Sequence, residues 1–368
     1  MTWCTYDRTD RTTVVTNDDT NNDGGIDGVL QMSGEVLARR RRERQQVWLV
    51  AVAMLIVLSI AGYFGVGRAL DSRFADVRRE LSLSTVLAEP NEQFVNFLLV
   101  GSDSRAGADP SDPDFANVGG EGDVQGRRSD TLIIVNVEKS SGIISLLSIP
   151  RDLWVKIGDS DNTERINVAY REGAPVVVRT VTRALGIPIH HYLEIDFQGF
   201  KDLVDAVGGV TVCVEFPTRD RNTGLYIRPG CKNLNGVQSL AYARSRYFEE
   251  KIDGQWQIDG TSDIGRGKRQ RLFTALLMQT AVNRTLGDPF RAGTIMQGAT
   301  SALLVDERLD MLEFARLMRP AATGKLRRFA LDTYGDTVRG NSVLRLADSS
   351  APVLAFYSGT GPAPVPPE

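Results

Sequence analysis

The chain reads as an α/β domain, a buried sheet with helices on its faces, preceded by one transmembrane helix. Three observations lead there. Nearly continuous runs of Val, Ile and Leu mark strands that are covered on both sides. Helical segments alternate with these strands, and the run from Gln45 to Gly67 carries no charge at all. At 368 residues there is room for one large domain or two ordinary ones. Setting aside the anchor and the tails favours one.

Residues 1 to 44 are rich in Asp, Asn, Thr and Gly and end in a basic flank, a composition that predicts a disordered segment. Asp19, Asn21, Asp23 and Gly24 imitate the start of a calcium-binding loop, but Leu30 occupies the position that needs a bidentate carboxylate. Residues 45–67 are about long enough for a ~20-residue helix across a bilayer. The apolar run is too long for a cleaved signal peptide. Arg39, Arg40, Arg41, Arg42 and Arg44 directly precede it, and the positive-inside rule then places the N-terminus in the cytoplasm and the rest outside. The expected location is therefore the cell membrane, in a single pass.

Residues 68–90 alternate apolar and charged side chains at near-helical spacing and predict a stalk helix. The folded domain is expected over 91–356, with a flexible Pro-rich tail over 357–368. Its first strand, Phe94 to Val100, breaks at Gly101, so Asp103 and Arg105 project from a loop at the strand's end, where α/β sheets carry ligand residues. Residues 106–126 are dense in Asp, Pro and Gly and read as a mobile insertion. Further strands are expected at Thr131–Val137, Ile143–Ile149, His191–Phe197 and Val210–Phe216. Helices are expected around 175–185, 200–207 and from Arg266 to Leu277. His190 and His191 lack a companion Ser or Cys motif and fit a structural place at a strand edge.

Composition narrows the partners. With 42% hydrophobic and 24% charged residues and a formal net charge of -3, nothing marks a nucleic-acid binder. The arginines matter through their clustering, because clustered cations bind anions locally whatever the net charge. Five stations are built on arginine, the first three of them with aspartate: Gly101 to Arg105, Arg128 to Thr131, Pro150 to Asp152, Arg244 to Arg246, and Arg266 to Gln270. Guanidinium groups bind phosphate oxygens bidentately, and carboxylates hold the hard cation that bridges a pyrophosphate. Asp103 and Asp130 are the pair suited to magnesium, although each alone would also suit a turn.

Arg266 and Gln270 share a helix face at i, i+4 spacing, and Phe273 and Leu277 continue it, so this face is cationic at one end and apolar at the other. Arg244 and Arg246 are two apart and converge on one ligand only where the chain is extended. Cys213 and Cys231 fall on the outer side, where disulfides persist, and are expected to bridge; two separate buried thiols are the alternative.

Seven segments in order resemble the motifs of the LytR-CpsA-Psr family: Asn96 to Arg105, Arg128 to Leu132, Ser148 to Asp152, Arg165 to Tyr170, Phe200 to Val210, Leu240 to Arg246 and Asp263 to Gln270. The resemblance implies a three-layer α/β/α domain with a central mixed sheet that binds a polyprenyl pyrophosphate, its tail in an apolar tunnel around Phe273 and Leu277. It implies Mg2+ held by Asp103 and Asp130. Arg128, Arg151, Arg165, Arg244, Arg246, Arg266 and Gln270 would contact the pyrophosphate. The implied activity moves a glycan 1-phosphate from a polyprenyl-pyrophosphate carrier to a peptidoglycan hydroxyl, with Arg151 aiding and Asp103 or Asp152 taking the proton. A polyprenyl pyrophosphate phosphatase and a non-enzymatic precursor-binding membrane protein stay open. The insertion sets Asp103 and Asp130 further apart than is usual in the family, and Arg271 stands where many members carry a second Gln.

Overall fold

The computed structural model describes residues 77–104, 129–260, 262–324 and 326–365, together with Ser111 and Phe115. The expected N-terminal tail, the span 45–67, Arg105, the insertion apart from those two residues, and Arg128 lie outside these. Among the described residues no helix is long and apolar enough to cross a membrane.

The centre is a seven-stranded sheet. Its strands in chain order are β1 (Arg78–Glu80), β2 (Phe94–Ser102), β3 (Ser129–Glu138), β4 (Ile144–Ile149), β5 (His191–Ile195), β6 (Leu303–Asp306) and β7 (Leu326–Ala330). Across the sheet they run β1-β6-β5-β2-β3-β4-β7. The pairs β1/β6, β5/β2 and β4/β7 are parallel while β6/β5, β2/β3 and β3/β4 are antiparallel, so the sheet is mixed.

The Val, Ile and Leu runs split by alternation onto two faces. Leu98, Val100, Leu132, Ile134, Leu147 and Ile149 face one core, which α1 (Ala174–Leu185) covers with Val177, Val178 and Val181. Phe97, Ile133, Val135, Ile144 and Leu146 face the other. Helices α2 (Phe197–Val207) and α3 (Gly236–Arg244) come next in the chain. The second face is then covered by α4 (Ser262–Gly287), α5 (Pro289–Ala302) and α6 (Met311–Met318), through Ala275, Met278, Met296, Ala299, Met311 and Met318. The C-terminal helix α7 (Ala351–Ser358) returns to the first face with Phe356 and Tyr357. Helices thus lie on both faces, as the apolar strands require.

Four expectations change. Residues 77–90 are part of the folded domain, because β1 pairs with β6 and Leu83 and Leu87 enter the first core, so a separate stalk helix does not extend through them. Phe197 opens α2 instead of closing a strand, since the Asp196 carboxylate accepts the Gly199 N–H at 2.7 Å and caps the helix. The helix expected over Arg266 to Leu277 continues to Gly287, where Asp288 and Pro289 end it. The tail also begins later than expected, because Tyr357 is fully buried and its carbonyl accepts from Asn96 Nδ2 at 2.8 Å.

Candidate active site

Strand register gathers the functional loops at one end of the sheet. Gly101, near the end of β2, pairs with Thr131 of β3 and with Ile195 of β5, while β4 ends at Ile149 opposite Leu132. Ser102 pairs with Ser129, so Asp130 is the extra residue of a β-bulge. Asp103 directly follows Ser102, and the two aspartates therefore sit on neighbouring backbone positions. Strand pairing closes the long insertion and overrides the sequence distance between them. Gly101 is needed for this approach, because a Cβ there would lie 3.0 Å from Thr131 Cβ.

From this end a cavity of about 590 Å³ runs between the sheet and the helices of the second face. Helix α4 supplies one wall. Its 26 residues extend roughly 39 Å, and Arg266, Gln270, Phe273, Leu277, Ala281 and Thr285 line the cavity in turn. The cationic-then-apolar face expected from spacing is thus the cavity wall. Leu240, Ala243 and Arg244 of α3 also line it, as do Phe197 and Phe200 of α2, while Met296, Met311 and Phe314 enclose the far part. Helices α2 and α5 pack closely enough that a Cβ on Gly298 would meet Ala206 Cβ at 2.4 Å.

The polar end is held firmly. The Arg244 guanidinium lies 4.7 Å over the Phe197 ring, Arg266 is 4% exposed, and Gln270 Nε2 donates to the Ala243 carbonyl at 3.2 Å. Helix α3 stops at Arg244, and Ser245 is extended with ψ of 125°, as the spacing of Arg244 and Arg246 demanded. Two residues that sequence reasoning missed impose this. Asp220, with no exposed surface, accepts from Ser245 Oγ and from the backbone N–H groups of Arg246 and Tyr247 at 2.7, 3.0 and 2.9 Å. Arg269 donates to the Asp259 carboxylate and the Ser245 carbonyl at 2.8 and 2.7 Å and stacks on Phe248 at 4.4 Å.

The expected residues fall into separate groups. Arg244, Arg266, Gln270, Phe273 and Leu277 share the cavity, whereas Arg246 does not line it. Arg151, Asp152 and Arg165 form a second group after β4. Asp152 Oδ2 faces Arg151 Nε at 3.5 Å, its Oδ1 faces Arg165 Nε at 3.6 Å, and Arg165 Nη2 donates to the Ser342 carbonyl at 2.7 Å. Near its N-terminal end α4 approaches β4, where a Cβ on Gly267 would be 3.8 Å from Ser148 Oγ. Arg271 is outside the lining, and burial, with a smaller effect of Arg328, lowers its pKa. Cys213 and Cys231 face each other on two antiparallel strands, Val210–Val214 and Gly230–Leu234, and are joined in a disulfide. Both histidines are structural: His190 Nδ1 accepts the Asn96 N–H at 3.0 Å, and His191 Nδ1 lies 3.2 Å from buried Asp306.

A mixed sheet backed by helices on both faces thus encloses a largely apolar cavity with Arg244, Arg266 and Gln270 among its lining residues. The LytR_cpsA_psr family model matches residues 69–354, and the chain belongs to this LytR-CpsA-Psr family. It is 35% identical over 269 residues to the probable cell wall biosynthesis protein LcpB of Corynebacterium glutamicum, covering 70% of this chain and 60% of that one. It is 32% identical over 250 residues to the polyisoprenyl-teichoic acid–peptidoglycan teichoic acid transferase TagV of Bacillus subtilis, covering 64% and 58%. The chain therefore spans about three fifths of the length of these two relatives. In fold it is similar to the crystal structure of B. subtilis TagV, with a TM-score of 0.55 at 24% identity over 74% of this chain and all of that one. It is likewise similar to a LytR-Csp2A-Psr enzyme from Actinomyces oris, with a TM-score of 0.57 at 22% identity over 77% and 96%.

Proposed function

We propose that the protein transfers a glycan 1-phosphate from a polyprenyl-pyrophosphate carrier to a peptidoglycan hydroxyl, attaching a cell-wall glycopolymer. The observation that carries this reading is the continuity of Arg244, Arg266 and Gln270 with the apolar length of one cavity, which matches a pyrophosphate head on a long hydrocarbon tail. The name of TagV, a transferase acting on polyisoprenyl-linked teichoic acid and peptidoglycan, supports the same chemistry. In this reading the chain is a single-pass membrane protein with its N-terminus in the cytoplasm and its active site outside. The uncharged run 45–67, the arginines before it and the Cys213–Cys231 bridge support that placement.

The reaction is a phosphoryl transfer that proceeds by positioning and charge neutralisation. The acceptor hydroxyl oxygen bonds to the phosphorus that carries the glycan, the bond from that phosphorus to the bridging oxygen breaks, and polyprenyl phosphate leaves. Arg244 and Arg266 stabilise the charge that gathers on the leaving group. Asp103, beside the cavity, takes the acceptor proton. Asp152 instead faces two guanidinium groups and holds Arg151 and Arg165 in place. The adjacent positions of Asp103 and Asp130 suit Mg2+, which takes few protein carboxylates and draws its other oxygens from phosphate and water. When bound there, Mg2+ neutralises pyrophosphate charge.

The test incubates the purified protein with a carrier-linked glycan and peptidoglycan, with and without Mg2+, and follows products by mass spectrometry. Glycan phosphate joined to peptidoglycan is the expected outcome. Free glycan phosphate alone would make the protein a phosphatase, and binding without turnover would make it a carrier-binding protein; either overturns the proposal.

A further inference from the structure

Beside the polar end of the cavity lies a buried chain of hydroxyls and one carboxylate that the reaction as written does not use. Glu194 of β5 is 8% exposed and accepts from two phenols, Tyr192 Oη at 2.8 Å and Tyr170 Oη. The Tyr170 oxygen also lies 3.0 Å from Ser102 Oγ, and Ser102 Oγ accepts the Ser104 N–H at 3.0 Å. Ser102 is 1% exposed and lines the cavity. The residue between Ser102 and Ser104 is Asp103.

Proton counting gives these bonds a direction. A phenol has one proton, and the Glu194 carboxylate can only accept, so Tyr170 gives its proton to Glu194. The Ser102 hydroxyl must then donate to the Tyr170 oxygen, which leaves an Oγ lone pair for the Ser104 N–H. Ser102 therefore has no proton to offer a phosphate, although it lines the mouth. Its oxygen instead closes a small ring with the Ser104 amide around the backbone of Asp103.

We propose that Glu194, Tyr170 and Ser102 form a positioning relay that fixes the turn carrying Asp103. The buried carboxylate, satisfied by two donors, is the fixed end, and the Ser104 amide is the end that acts on the site. None of the three touches the reacting atoms. Their effect on rate runs through the placement of Asp103, and in this respect alone the inference rests on the function proposed above.

Two measurements on the full chain test the relay. Hydrogen exchange at the Ser104 amide is expected to quicken about fivefold or more in Tyr170→Phe and in Ser102→Ala. It should stay at the wild-type rate in Tyr192→Phe, which removes a donor from the same carboxylate without reaching Ser102. In the transfer assay, kcat should fall about tenfold in Tyr170→Phe and Ser102→Ala, with KM for the carrier within about twofold. The double variant should be no slower than either single one, because both break one chain. Wild-type exchange at Ser104 in both single variants overturns the relay, as do multiplicative rate losses or an equal loss in Tyr192→Phe. Should Tyr170→Phe unfold, Ser102→Ala carries both measurements. Failure of the wild-type protein to transfer glycan sinks the functional reading instead, and the exchange measurement still decides the relay.

Discussion

His190 should make the domain lose stability as the solution is acidified. The ring is 5% exposed, and its Nδ1 accepts the Asn96 N–H, which only a neutral imidazole can do. Burial, helped by the nearby charges of His191 and Lys139, pushes its pKa down from 6.5 to about 4. The unfolded chain thus binds a proton between those values that the folded chain refuses. The stability linked to this refusal is fully present above pH 6.5 and falls as pH drops, with the loss complete once pH passes below about 4. At about 1.36 kcal/mol per pKa unit, the whole loss comes to about 3 kcal/mol, of which about 2 kcal/mol has gone by pH 5. His190→Asn keeps an acceptor near the Nδ1 position and removes the titration. Urea unfolding of wild type and variant at pH 7.5, 6 and 5 isolates the effect, because every other titrating group is common to both. A wild-type curve that parallels the variant across this range would refute the assignment.

Three further predictions concern the site and its frame. Arg266→Lys retains the charge but loses the bidentate fork, and kcat/KM for transfer should fall about tenfold or more, whereas Arg266→Ala should cost on the order of 100-fold. Leu277→Trp narrows the cavity beyond the polar end; excluding even two methylenes, at about 0.8 kcal/mol each, should weaken long-chain carriers about tenfold, read as KM against a short-chain analogue. Paired Cys213→Ser and Cys231→Ser substitutions open a loop with a sequence separation of 18 and should lower the unfolding free energy by about 3 kcal/mol, measured by urea titration.

What the sequence reveals and what it hides follow from how far each signal reaches along the chain. The central strands are legible because each is an uninterrupted apolar run, and the working face of α4 is legible because Arg266, Gln270, Phe273 and Leu277 repeat at helical spacing. Strand β1 is not, since Arg78, Arg79 and Glu80 carry no strand pattern and are extended only because β6 offers them an edge. The far half of the cavity is hidden for a different reason. Met296, Met311 and Phe314 would look the same in a filled core, and a void depends on how helices meet, which no local pattern records. Asp220 is hidden similarly: its three partners lie some 25 residues away at the end of α3.

The arginine stations themselves divide once placed in three dimensions, and the division follows from what each is bonded to. Arg244 and Arg266 border an apolar space, where a guanidinium keeps its charge and the low dielectric strengthens its attraction for an anion. Arg151 and Arg165 are instead tied to one carboxylate, Asp152, and Arg165 also to the Ser342 carbonyl on the hairpin of residues 333–346. Those ties lower the rotational freedom that a flexible cation loses on binding, so this pair too is pre-set. In the proposed reaction the pyrophosphate head group meets Arg244 and Arg266 as its deep partners. In that proposed reaction the phosphate that carries the glycan must stay open to an acceptor from outside, and Arg151 and Arg165, outside the cavity lining, are the cations suited to it.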